Sequence, residues 1–123
     1  MALHHKLCHT LGGSFGLPHA ERHTVVLPHA LAYNGPEIPQ VMQILAQSLP
    51  DGEGDAINGL NRLIEKLGVE RSLVAYGMKE GDIAQAADIA VSNPYWNPRK
   101  VETDLIQEVI RRAWAGEAAR ADL

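Results

Sequence analysis

All six histidines, His4, His5, His9, His19, His23 and His29, fall within the first 29 residues of a 123-residue chain. An imidazole titrates near neutral pH, gives or takes a proton, and ligates borderline metals such as zinc and iron. His5 and His9 are four apart, so on a helix their rings leave the same face one turn apart and can address one point. His19 follows a glycine-rich stretch, near the start of the next helical segment, from which it can reach the same point. The chemistry this allows is metal ligation or proton transfer by three converging imidazoles. The bland reading stands beside it, because helical histidines more often face solvent or cap a helix. His4 points about 100° away from His5 and cannot share its site. His23 suits solvent as well as partnership with His19, and His29, after Pro28, suits a bond to a backbone group. Cys8, beside His9, raises a thiol nucleophile, yet helical neighbours diverge and no cysteine-enzyme motif surrounds it.

The segments that must carry these rings read as helices. Leu3, Leu7 and Leu11 form one stripe from Met1 to Leu11, which Gly12 and Gly13 are expected to stop. Gly12 to Gly16 has the look of a phosphate loop but lacks the preceding strand and the lysine, so a tight turn is expected there. His19 to Tyr33 is expected as helix, kinked or split by Pro28. The run Thr24-Val25-Val26-Leu27 could pass for a strand, but no other run offers it a partner.

Asn34-Gly35-Pro36 closes that segment. From Pro39 to Leu49, Val41, Ile44, Leu45 and Leu49 stand near helical spacing. Asp55 reads as the N-cap of the clearest helix, with Ile57, Leu60, Ile64 and Leu67 on helical spacing and Gly68 as its end. Asp51 to Gly54 is a surface turn, and Ser72 to Met78 reads as loop. Ile83, Ala86, Ala87 and Ala90 resume the pattern from Asp82 and must yield before Pro94. The last helix is expected from an N-cap at Thr103 to about Gly116, with Ile106, Val109, Ile110 and Ala113 inward. Glu117 to Leu123 is expected to fray, and Trp96 and Trp114 to pack. The sum is one all-α domain, 1–123, a helical bundle without strands.

Composition bounds the function. At 46% apolar and 21% charged the chain is globular, with room for one core. A formal charge of −4 argues against partners bound through phosphate, so no nucleic acid and no membrane surface are expected. One cysteine makes no internal disulfide and suits a reducing cytoplasm. No apolar run approaches the roughly 20 residues of a membrane span.

The run from Ala2 to Gly13, with His5, His9 and Gly12, followed by Leu17-Pro18-His19-Ala20 and Val26-Leu27-Pro28-His29, resembles the histidine signature of the iron-containing alcohol dehydrogenase superfamily. The pattern there is H-x3-H-x2-G, then P-H-G, then L-P-H. The opening Leu3-His4-His5-Lys6-Leu7-Cys8-His9, and Ala20 where most alcohol dehydrogenases place glycine, resemble the maleylacetate reductase branch. Asn97-Pro98-Arg99, ahead of the last helix, also matches. The likeness runs from residue 1 to about 115.

This resemblance implies the C-terminal helical part of a two-domain, dehydroquinate synthase-like fold, with the active site in a cleft against an N-terminal nucleotide-binding domain. It implies an NADH- or NADPH-dependent reductase that converts maleylacetate, a small dicarboxylate, to 3-oxoadipate in the breakdown of aromatic compounds. Hydride delivered to the alkene carbon conjugated with the ketone would build enolate charge on oxygen. By position, His5 and His19 match two histidine ligands of the family metal, Fe2+ or Zn2+ where one is used. His9 matches the histidine that faces nicotinamide and substrate, and is the expected catalytic and cofactor-binding residue. The family's other ligands and its pyrophosphate loop have no counterpart in these residues, so the nucleotide-binding half is expected to be missing and the chain alone to be inactive. The resemblance also allows a homodimer. Another substrate within the superfamily, or a non-enzymatic helical module binding a metal or partner through its histidine face, are the competing readings.

Overall fold

The structure, a computed structural model, describes every residue except 1, 17, 18, 50–53, 69, 93–96, 98 and 121, and only the backbone at 2, 5, 14, 15 and 19–23. The expectations for Trp96, for Pro94 and for the turn at Asp51 fall outside the described residues.

Helix α1 spans Ala2–Phe15 and buries Leu3, Leu7 and Leu11 completely, as their spacing requires. Gly12 and Gly13 do not stop it. Each glycine costs about 1 kcal/mol in a helix interior, too little to break a ladder that carries on to Phe15. The chain turns away only at Gly16, whose φ of +67° is open to a residue without Cβ and whose N–H donates to the Gly12 carbonyl at 3.2 Å. The expected turn over Gly12 to Gly16 is therefore helical up to Phe15.

Helix α2, His19–Asn34, is continuous through Pro28. Proline removes one N–H from the helical ladder, but Val25, Val26, Ala30 and Tyr33 around it are buried and hold the flanking turns in place. A 3-10 turn, Gly35–Glu37, leads into α3, Pro39–Ser48, which buries no residue and leaves Val41 and Ile44 exposed. Helix α4, Ala56–Leu67, starts where expected: Asp55 Oδ1 accepts from the N–H groups of Ile57 and Asn58 at 2.9 and 3.2 Å. It ends at a left-handed Gly68. Of its apolar stripe, Ile57 and Ile64 are buried while Leu67 stays exposed.

The stretch read as loop contains a 3-10 turn, Leu73–Tyr76, that plugs Leu73 and Met78 into the core. Helix α5, Asp82–Ser92, turns Ile83, Ala86, Ala87 and Ala90 inward. Helix α6, Thr103–Ala115, does the same with Ile106, Val109, Ile110 and Ala113. Its N-cap is Glu102 rather than Thr103, with no side-chain capping bond, and a left-handed Gly116 ends it.

Helices α1, α2, α5 and α6 enclose the main core, and the α3–α4 pair packs on α2 around Ala32, Ile57 and Ala119. No strand occurs among the described residues, and none of their helices is long and apolar enough to cross a membrane. The tail does not fray as expected. Ala119 is buried and exchanges two hydrogen bonds with the Asn61 side chain, and Arg112 of α6 pairs with Asp122. The apolar Ala119 and these bonds outweigh the conformational entropy a loose end would keep.

Candidate functional site

Helix α1 carries His5 and His9 one turn apart, and the first residue of α2, packed against it, is His19. His9 is exposed, and His4 is half-buried. The rings of His5, His19 and His23 lie outside the described residues, and with them the expected convergence of the three imidazoles.

The other two groups that drew notice in this region are core residues. Cys8 is 1% exposed and packs among the leucines, which removes it from the nucleophile candidates. His29 is buried too. Burial foremost, then the guanidinium of Arg112, pushes its pKa down to about 4, against an opposing effect of the Glu117 carboxylate and a hydrogen bond with the Glu117 backbone. It is thus a neutral imidazole packed under the tail, in keeping with a bond to a backbone group. Above it, Glu108 bridges Arg111 and Arg112 at 2.7 and 2.8 Å, and Arg111 also reaches Glu117 at 2.8 Å. The hydrogen bonds from Arg111 and Arg112 hold the Glu108 carboxyl down to about 2.

Residue types and spacing did not single out a polar cluster where the start of α1 meets the end of α2. Asn97 Oδ1 accepts from the Leu3 N–H at 3.2 Å and from Asn34 Nδ2 at 3.0 Å. Asn97 Nδ2 donates to Asn34 Oδ1 at 2.8 Å and to the Arg99 carbonyl at 2.6 Å. The Tyr33 hydroxyl donates to the Lys100 carbonyl, and Arg99 donates to the carbonyls of Tyr33 and Leu123 at 2.9 and 2.8 Å. The available signal was Asn97-Pro98-Arg99, visible as a motif but silent about the contacts it makes 60 or more residues away.

A metal can be weighed against the donors present. Among the described residues no three His, Cys, Asp or Glu side chains stand together as a cage. His5 and His19 would bring two imidazoles, short of the three or more protein ligands that catalytic zinc or iron sites generally take. Two imidazoles would supply only part of such a site and would leave its other ligands to come from other residues. Two clefts, of about 620 Å³ beside α3 and α4 and about 460 Å³ between α5 and α6, include no histidine and do not extend this site.

Comparison with known proteins extends the picture. A family model described as Fe-containing alcohol dehydrogenase family, C-terminal, matches residues 1–114. A maleylacetate reductase of Burkholderia cepacia is 53% identical over 116 residues, 94% of this chain and 32% of its own length. Among solved structures, a putative alcohol dehydrogenase from Ralstonia eutropha JMP134 superposes with a TM-score of 0.91 at 50% identity, over 96% of this chain and 33% of that one. The maleylacetate reductase of Agrobacterium tumefaciens gives 0.89 at 44% identity over the same shares. The chain spans about a third of the length of the curated relatives it matches.

Proposed function

This chain belongs to the Fe-containing alcohol dehydrogenase family, and on that premise we propose that it forms the helical part of an NADH- or NADPH-dependent reductase of maleylacetate. The observation that carries the reading is the placement of His5 and His9 one turn apart on α1, packed against the helix that His19 opens. Likeness to maleylacetate reductases along 94% of the chain supports the choice of substrate.

His5 and His19 are the residues that would hold a divalent iron or zinc, together with donors from outside these residues. When bound, such a metal supplies Lewis acidity to a substrate oxygen and the nicotinamide supplies hydride. The chain's own part is proton and charge management. His9, exposed on the same helix face, donates a hydrogen bond to the ketone oxygen as reduction of the conjugated alkene builds enolate charge there, and it passes the proton that completes 3-oxoadipate. The nucleotide-binding partner is proposed on the fraction of the relatives that the chain spans. A cytoplasmic location is proposed on the lone, buried Cys8, which offers no internal disulfide.

The test is NADH oxidation on addition of maleylacetate, by a protein joining this chain to the preceding two-thirds of a maleylacetate reductase. Turnover near that of the donor enzyme supports the reading. A folded, NADH-binding joined protein that does not turn over contradicts it.

A further inference from the structure

We infer that Asn97 is a positioning residue for the histidine face of α1. The first N–H groups of a helix have no acceptor within it, and the second residue of α1, Leu3, gives its N–H to Asn97 Oδ1. That bond sits two residues before His5, on the turn that sets the angle at which the His5–His9 face leaves the bundle. The same side chain is held at its other end. Asn34, the last residue of α2, exchanges two hydrogen bonds with it, and the Arg99 carbonyl takes a third. One amide thus fixes the start of α1 to the end of α2, the two helices that carry every candidate residue. Its own anchor is rigid, because Arg99 lies on Tyr33 and is bonded to the Tyr33 carbonyl.

A carboxamide suits this place for a chemical reason. It offers one acceptor oxygen and two donor hydrogens, and the clasp uses both kinds at once. Aspartate keeps the oxygen that Leu3 needs and adds a negative charge at a helix start, where it is favourable. Alanine keeps nothing. The inference rests on the reading of α1 as the site, but its test does not pass through catalysis, so the two can fail separately.

The experiment is NMR on the whole 123-residue chain, following the Leu3 amide and the 15N signals of the His5 and His9 rings, with the Trp114 indole, which donates to the Met78 carbonyl, as an internal reference. In the parent chain the Leu3 amide exchanges slowly; exchange at the rate of an unstructured amide overturns the inference without any variant. In Asn97→Ala the Leu3 amide exchanges about tenfold faster or more, and the His5 and His9 ring signals shift or broaden while Trp114 holds still. In Asn97→Asp, which keeps the acceptor but loses both donors, Leu3 protection returns toward the parent while the ring signals stay displaced, by less than in Asn97→Ala. Unchanged His5 and His9 signals in a folded Asn97→Ala chain overturn the proposal. Should that variant lose its helical circular dichroism, Asn34→Ala carries the test: it frees one side of the clasp, and the ring signals must move in the same direction by a smaller amount.

Discussion

Arg99 lays its guanidinium over the Tyr33 ring, with Cζ 4.2 Å from the ring centroid, while two of its nitrogens reach the carbonyls of Tyr33 and Leu123. One side chain therefore closes the end of α2 against the end of the tail. Charge-assisted bonds of this kind are worth more than neutral ones, and the ring adds a cation–π attraction. Arg99→Ala is expected to cost about 2 kcal/mol in urea denaturation. Arg99→Lys recovers only part of that, since an ammonium lacks the planar fork that serves both carbonyls.

Acid should unfold the chain in two stages with separate causes. His29 is pushed down to about 4 in the fold and lies near 6.5 when unfolded, so the unfolded chain takes up a proton first. Stability is full above pH 6.5, falls as pH drops from there to about 4, and the loss is on the order of 3 kcal/mol by linkage. Glu108, held down to about 2 by its arginines, adds a loss that begins only below about 4.5. Thermal melts of the parent and of His29→Gln between pH 7 and 4 check the first stage. The variant loses most of the slope; equal slopes would refute the assignment to His29.

Two glycines in helices should respond to alanine with opposite signs. At Gly59 an added Cβ meets the Leu49 Cβ at 2.6 Å, a contact that overpacking data price at roughly 1–3 kcal/mol, above the 1 kcal/mol of helix propensity gained. Gly59→Ala is expected to lower the melting temperature. Gly13 has nothing within 4 Å of that position, so Gly13→Ala should stabilise by about 1 kcal/mol. Calorimetric melts of both variants read the signs directly.

Removing the α4 cap isolates a single local device. Asp55→Ala leaves the Ile57 and Asn58 N–H groups without their carboxylate acceptor, at a cost of about 1 kcal/mol and a few degrees in melting temperature. Asp55→Asn should lose only a small part of this. An Asp55→Ala melt identical to the parent's would show that the cap contributes nothing.

Local signals legible in the sequence were those that tertiary packing reinforced. The leucine stripe of α1, the Asp55 cap and the inward faces of α5 and α6 all follow from period and capping chemistry. Misreadings arose where a breaker was too weak to end a helix, as at Gly12 and Gly13, or where contacts join residues far apart, as Ala119 joins Asn61. The candidate site divides the same way. The turn that pairs His5 with His9 on one helix is a local fact and could be read. The burial of His29 beneath the tail and the seat of Asn97 between α1 and α2 are long-range facts, and no spacing announces them.

The central claim is that the α1 histidine face manages charge and protons in hydride reduction, with His9 as the acting group. Steady-state kinetics decide it, measured as maleylacetate-dependent NADH oxidation by this chain joined to the preceding two-thirds of a maleylacetate reductase, with and without His9→Ala. A general acid contributes about 10²–10⁴ to rate, so kcat should fall at least about a hundredfold while KM for NADH stays within about threefold. An unchanged kcat in the folded variant contradicts the account.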